Sequence, residues 1–308
     1  MKEKMKYILL LFILSLLFSS FEKSKEFNGF TYPEGKYKAL ILSYDDGTIE
    51  DLDLVGLLDK NNLKGTFNLN SAYLGTIRGW PQQNGDTIFQ KYVPKDSLNQ
   101  IYTNHEIAVH GAYHKDFINI TKNEILEEVQ TDLKVLKELT GREITSMAYP
   151  FGNTNDTIAK FISSTKITNA RTVNDTYGFD LPNEFLIWNP TCHDSKVQEY
   201  SDKYLKLNES KLSLFYVWGH SWEFKDKKRW DVMVEFCNRV GQEKGIWSVG
   251  TGEYSEYLKA LDKVEFDNGE IFNPKDNLTI WIKLSDEIKK LEPGKRIKIK
   301  TVANNDFK

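Results

Sequence analysis

Ala39-Leu-Ile-Leu-Ser-Tyr-Asp-Asp-Gly-Thr48 runs from four apolar residues into two adjacent carboxylates, then a glycine and a threonine. An apolar run of this length reads as a buried strand, and the glycine marks where the backbone leaves it. Successive side chains of a strand point to opposite faces. At the strand's carboxyl end, however, Asp45 and Asp46 can both reach one pocket while doing different work. That end is where parallel α/β folds place their chemistry. Taken alone, the stretch reads first as an Asp-rich turn capping the next helix. Partners elsewhere in the chain must decide.

Outward from this stretch, strand and helix signals alternate. Asp51 to Asn62 places Leu54, Leu57 and Leu58 at helical spacing, and Lys64 to Asn70 reads as a second strand, which makes a βα unit feeding a parallel sheet. Residues 75–93 read as an inserted loop, with Trp80 either facing sugar or pinning the loop to the body. A short helix is expected over Pro94 to Thr103, then a short strand and a His-rich loop over His105 to His114. Thr121 to Leu139 carries a capping box (Thr121, Glu124), an apolar stripe and the stop Gly141, and reads as a packing helix without chemistry. Strands follow at Ser146 to Tyr149 and Asn169 to Val173, with a helix near Asp156 to Thr165. Leu186 to Asp194 and Leu212 to Ser221 repeat the pattern of apolar strand and polar exit. The fold class is α/β, a distorted, incomplete (β/α) barrel of about seven strands. After Leu261 the pattern alternates between turn signals, which predicts a small β appendage. The expected organisation is a leader at 1–21, a lead-in at 22–38, the main domain at 39–261 and a β-rich extension at 262–308.

Composition excludes some classes. The chain has 308 residues, 40% hydrophobic and 28% charged, as an ordinary globular protein does. A net charge of −3 makes no case for nucleic acid or an anionic membrane surface as partner. Lys2, Lys4 and Lys6 precede an apolar core from Tyr7 to Phe18, which reads as a secretory signal peptide. An uncleaved N-terminal anchor is the alternative, and the only membrane contact expected. Either way the protein is expected to be exported: periplasmic, at the cell surface or secreted. Cys192 and Cys237 form no metal or redox spacing and read as a bridge or as two buried thiols.

His110, His114, His193 and His220 all fall at strand exits or in the loops after them. His110 and His114, four apart, can turn inward together, and Asp46 completes a set of two histidines and one carboxylate. Such a set keeps positions open for water and substrate, the pattern of catalytic zinc or non-haem iron. The Asp-Asp-Gly-Thr run superficially matches haloacid-dehalogenase-type phosphatases, but their nucleophilic Asp falls at Tyr44, which excludes that chemistry.

These residues resemble the polysaccharide deacetylases of the NodB-homology type, carbohydrate esterase family 4, over roughly residues 38–260. The family's Thr-Phe-Asp-Asp-Gly appears as Ser43-Tyr-Asp-Asp-Gly47, its His-x-x-x-His as His110-Gly-Ala-Tyr-His114, and its Arg-x-Pro-Tyr-Gly as Ala148-Tyr-Pro-Phe-Gly152. An apolar residue closely preceding a histidine appears as Val217-Trp-Gly-His220. The resemblance implies a NodB-like barrel, with Asp46, His110 and His114 holding a divalent metal, usually Zn2+, and Asp45 as general base. It implies His220 as the acid that protonates the departing amine or alkoxide, and a backbone N–H near Phe151 at the oxyanion. Trp218 and Tyr149 wall an acetyl slot, or are core aromatics. The implied substrate is an acetylated carbohydrate, N- or O-linked.

Two departures stand out. The family's arginine, which pairs with the base, is Ala148 here; Arg171 is the candidate substitute, and a surface ion pair its alternative. The acidic segment that tunes the catalytic histidine is not recognisable, which leaves Asp194 or Glu223 to orient His220, and His193 to contact substrate or metal or to serve structure. A carbohydrate-binding protein on a retired esterase scaffold, and a hydrolase of a small-molecule amide, are the competing functions.

Overall fold

The computed structural model describes residues 25–81 and 85–300, so the leader read in residues 1–21 lies outside it. The chain enters on β1 (Phe27–Thr31) and turns into β2 (Lys38–Asp46), followed by the helix Asp51–Lys60 and β3 (Gly65–Leu69). A hairpin of β4 (Ile77–Pro81) and β5 (Thr87–Lys91) precedes β6 (Glu106–Val109). After the helix Lys122–Thr140 come β7 (Ser146–Ala148), β8 (Asn169–Arg171) and β9 (Cys192–His193). β10 (Ser213–His220) and β11 (Ile246–Ser248) complete the main sheet. β12 (Glu265–Asp267), β13 (Glu270–Phe272), β14 (Ile280–Leu284), β15 (Glu287–Leu291) and β16 (Arg296–Lys298) follow the helix Thr251–Asp262.

The sheet runs β8-β7-β6-β3-β2-β10-β9, with β11 beside the lower half of β2. Every pairing in it is parallel. It curls until its ends nearly meet: Trp188 N donates to the Ala170 carbonyl and Thr172 N to that of Trp188, while Cys192 and His193 lie against Val217 and Trp218. This is the incomplete barrel expected from the strand spacing.

The pleat of β2 sorts its side chains into two environments. Leu40, Leu42 and Tyr44 face the helix layer and join one apolar cluster with Phe215 and Val217 of β10. Ala39 and Ile41 face the barrel interior with Leu214, Tyr216 and Trp188. Ser43 and Asp45 continue that interior row, so the inside changes from apolar to polar toward the strand ends. Cys192 and Cys237 are buried free thiols.

The segments at both ends of the chain build the barrel floor. β1 pairs antiparallel with β14, and β14 with β15. Phe27, Phe30, Tyr32, Ile280 and Ile282 pack into the same cluster as Ala39 and Ile41. The Tyr257 hydroxyl ties the floor to the last helix, donating to Thr31 O at 2.6 Å and accepting from Trp281 N at 3.0 Å. Within residues 75–93, read as a loop, Ile77–Pro81 and Thr87–Lys91 pair as the antiparallel β4–β5 hairpin. Gly79 and Pro81 obscure its alternation, and Pro is tolerated because the hairpin is all edge.

A buried carboxylate fastens the top of the barrel. Asp51 accepts from Tyr102 Oη at 2.6 Å and from Ser221 Oγ at 2.5 Å, and Ser221 directly follows His220. Burial pushes the Asp51 carboxyl up to about 7, against hydrogen bonds from Ser221 and Tyr102 that lower it. In the unfolded chain it titrates near about 4. The folded state therefore binds the extra proton, and this residue's contribution is full below about pH 4 and lost as pH rises through about 7. The fall in Tm between pH 4.5 and 7.5 is expected to be smaller in Asp51→Asn than in wild type. Parallel pH profiles for the two proteins would contradict this assignment.

Candidate active site

The two carboxylates that a strand points apart are brought together by one torsion. At Asp46 the backbone enters the left-handed region, with φ 80°, which costs about 1–3 kcal/mol for a residue other than glycine. The turn brings the Asp46 side chain into the same pocket as Asp45. Asp46 Oδ1 lies 3.7 Å from His114 Nε2 and 3.8 Å from His110 Nε2, and the three ligand atoms fall within 4.8 Å of one another. His110 Nδ1 meets the Ala148 carbonyl at 2.9 Å. A carbonyl only accepts, so Nδ1 donates, and Nε2 is the ring nitrogen turned toward Asp46. Burial, with His110 alongside, pushes the His114 imidazole down to about 4 and keeps it neutral. Two imidazoles and a carboxylate converging on a cavity fit a divalent metal of the catalytic kind.

The helix Lys122–Thr140 positions this set, which corrects its reading as packing alone. Asp132, fully buried, accepts from His110 N at 2.9 Å and Ser71 N at 2.7 Å. Glu128 accepts from Tyr113 N at 2.8 Å. Both carboxylates sit among the apolar stripe on the buried face and hold the backbone of the loop that carries both histidines.

Asp45 is buried and held from two sides. Arg171 Nη2, from the end of β8, lies 2.5 Å from both carboxylate oxygens, and Asn68 Nδ2 of β3 donates to Oδ1 at 2.8 Å. Arg171 is 1% exposed, so the surface-pair alternative falls. Burial pushes the Asp45 carboxyl up, and Arg171, His110 and His220 together bring it down to about 2. The arginine absent at Ala148 is supplied from the next strand.

His220 stands opposite Asp45 in the β2–β10 register. Its Nδ1 lies 3.3 Å from Glu223 Oε1, outside hydrogen-bond angles, so the link is electrostatic. Arg229 bridges Glu223 and Asp194, at 2.7 Å to each. Burial lowers the His220 pKa, but Glu223, Asp46 and Asp45 raise it to about 9. Glu223 is thus the carboxylate beside His220, and Asp194 acts one step behind it. His193 lies on the far side of Glu223, at 3.5 Å, and accepts through Nδ1 from Ser195 N. It does not line the cavity that holds the Asp46 set.

That cavity measures about 490 Å3, within the range of about 300–1,000 Å3 for small-molecule sites. Tyr149, Phe151 and Trp218 line it together with Trp80 and Trp222. The Tyr149 hydroxyl donates to Leu186 O at 2.8 Å and Trp218 Nε1 to Asp175 at 2.8 Å, so both rings are fixed as well as cavity-facing. Phe151 (φ 60°) is 55% exposed, its ring 4.5 Å from His114, and Gly152 N closes that turn onto Tyr149 O. Asn68, Asp132, Arg229 and Trp222, whose Nε1 donates to Asp46 Oδ2 at 3.0 Å, are contributors the sequence reading missed. Asn68, a polar residue inside a buried strand, was a readable signal.

The polysaccharide deacetylase family model matches residues 26–170, a span that includes Asp45, Asp46, His110, His114, Tyr149 and Phe151. No curated protein matches the sequence. A solved structure from Mycobacterium smegmatis, described as a polysaccharide deacetylase, is similar at TM-score 0.55 and 15% identity, covering 78% of this chain and 96% of that one. The Xyl-CE4 domain of a multidomain xylanase from the hindgut metagenome of Trinervitermes trinervoides is similar at TM-score 0.46 and 18% identity, covering 72% and 92%. A family 4 carbohydrate esterase from Streptomyces lividans, in complex with acetate, is similar at TM-score 0.43 and 13% identity, with the same coverage. The fold likeness rests on the first of these.

Removing one partner of a buried ion pair costs about 3–5 kcal/mol, because the other charge is left uncompensated. Arg171→Met is expected to lose stability of about that size in urea unfolding. A loss below about 1 kcal/mol, the value of an exposed pair, would show that Asp45 is held by other means.

Proposed function

We propose, from the premise that residues 26–170 form a polysaccharide deacetylase domain, that this hydrolase of acetyl amide or ester bonds removes acetyl groups from an extracellular glycan with the help of a divalent metal. The observation that carries the reading is the division of labour between adjacent residues. Asp46 lies within 3.8 Å of both imidazoles, whereas Asp45, 3.9 Å from His110, is bound by the Arg171 guanidinium and the Asn68 amide and stands opposite His220 in the strand register.

Asp46, His110 and His114 are the residues that hold the metal, with Zn2+ the ion that suits their donor set. When bound, such an ion supplies Lewis-acid polarisation of the acetyl carbonyl and lowers the pKa of water. The remaining work belongs to this chain's own groups. Asp45, kept ionised by Arg171, takes the proton of the attacking water. His220, kept charged by Glu223, gives a proton to the departing amine or sugar oxygen. The donor assigned to the developing oxyanion is the Phe151 backbone N–H, since Gly152 N is taken up by Tyr149 O. Trp218 and Tyr149, both fixed by hydrogen bonds, bound the space for the acetyl methyl.

The retired-scaffold alternative drew its support from the missing arginine, and Arg171 removes that support. Export is part of the proposal and rests on the charged and apolar pattern of residues 2–18. Among the described residues, no helix is long and apolar enough to cross a membrane.

Acetate release from chitin oligomers, peptidoglycan and acetylated xylan tests the reaction. We expect release by metal-loaded protein, loss with a chelator, and a fall of about 10²–10⁴-fold in Asp45→Asn. Metal analysis should find His110→Ala and His114→Ala depleted; full stoichiometry in both would mean the ligands are misassigned. The pH profile adds a second check. A histidine that must be protonated loses activity as pH rises through its pKa, which Glu223 beside it holds up. Glu223→Gln removes a charge that raises this value, so its alkaline limb is expected at lower pH than that of wild type. An unmoved limb would remove Glu223 from this role.

A further inference from the structure

Beside the acid-side histidine lies a second convergence of metal-ligating side chains. His193 and His220 end the neighbouring parallel strands β9 and β10, and Glu223 stands one turn further on, in the helix Ser221–Asp226. One ligand atom from each lies within 4.8 Å of the other two. His193 Nε2 is 3.5 Å from Glu223 Oε2, and His220 Nδ1 is 3.3 Å from Glu223 Oε1. Neither His193 nor Glu223 lines the cavity of the Asp46 set. The His193 ring meets that of Trp218 edge-on, with 4.7 Å between centroids, which holds it in place.

Hydrogen bonding here is incomplete. Arg229 takes Glu223 Oε2 and Asp194 Oδ1, at 2.7 Å each, and leaves Glu223 Oε1 outside the bridge. His220 Nδ1 is shut off from solvent with no hydrogen-bond partner among the described residues, and so is Asp194 Oδ2. Two carboxylates stand against one guanidinium, so the group keeps a negative charge when both imidazoles are neutral. Asp194 fits here because residue 219 is glycine: a Cβ there would lie 2.2 Å from Asp194 Oδ2. Ligation through His193 Nε2 puts the ring proton on Nδ1. Ser195 Oγ, 2.9 Å from Nδ1, accepts it in place of the bond from Ser195 N. A metal-bound histidine ordinarily donates its other ring N–H in this way.

We propose that His193, His220 and Glu223 form a second divalent-metal site, whose occupation by excess Zn2+ takes His220 out of acid duty. Two imidazole nitrogens and a carboxylate oxygen suit the same ion as the Asp46 set. Arg229 repels a cation at Glu223, so this site fills after the other. His193 and Glu223 are both partly exposed, which gives an ion entry from solvent. The metal replaces the Nδ1 proton of the His220 imidazolium. That proton leaves to water, and the lone pair it frees makes the coordinate bond. The ring keeps one proton, on Nε2, and yielding it would leave an imidazolate, so the ring is a far weaker acid than before. The inhibitory half of this rests on the functional reading above, and the binding half stands without it.

The test titrates the full chain with Zn2+ after dialysis against a chelator, and follows equilibrium dialysis beside acetate release. Wild type is expected to bind a second equivalent more weakly than the first. Acetate release should rise with the first and fall by about 10²-fold with the second, the least that losing a general acid costs. His193→Asn retains a side-chain acceptor for Ser195 N. It should weaken the second equivalent by about tenfold or more and shift the inhibition with it, while the first equivalent stays. Glu223→Gln, a variant at another position, should weaken the second equivalent likewise. His110→Ala should do the reverse, losing the first and keeping the second. A second equivalent that His193→Asn weakens, in a wild type that releases no acetate, keeps the site and sinks the functional reading. A single equivalent in wild type, a second one that both variants leave unchanged, or inhibition at the same Zn2+ concentration in His193→Asn overturns the site.

Discussion

A carboxylate and a guanidinium buried together inside a barrel set the terms for everything above them. Neither Asp45 nor Arg171 can lose its partner without stranding a charge in a low-dielectric interior. The pair spans from β2 to β8, so it also fixes the relative height of strands that do not touch in the sheet order. Asn68 and Ser43 add hydrogen bonds to the same two side chains. Trp218 lies beside the guanidinium at 5.1 Å. The polar upper half of the interior is therefore one connected cluster, with Asp46, His114 and His220 at its half-buried margin.

The margin is where the backbone departs from regular geometry. Asp46, His114 and Phe151 all hold positive φ. None is glycine, so each carries a local cost that the surrounding bonds must offset. Buried carboxylates on a neighbouring helix do part of that, by gripping the amides of His110 and Tyr113. Rigid support behind a strained rim is what a site needs if its groups are to meet a substrate without rearranging.

The sequence exposed this arrangement unevenly, for physical reasons. Apolar runs ending in polar residues are a one-dimensional signal, so the strands and the Asp46, His110 and His114 set were legible. The helix from Thr121 was legible through its capping box, which forms as read. Its inward carboxylates were not, because an apolar stripe does not show that Asp132 and Glu128 share its buried face. Arg171 was visible only as a candidate, since pairing across a barrel depends on strand order and not on spacing. The hairpin escaped because glycine and proline interrupt its alternation. The partnership of β1 with β14 had no local signal at all.

That last pairing carries a consequence for how the molecule assembles. Phe27 meets Leu284 across almost the whole chain, and contacts so distant in sequence are slow to form because the intervening loop must first be ordered. The floor's β1–β14 pairing is thus among those that cost the most loop-closure entropy. During synthesis, the apolar underside around Ala39 and Ile41 stays open until the final strands emerge. Deleting β1 or β14 would uncover the same surface, so the two segments act as one latch.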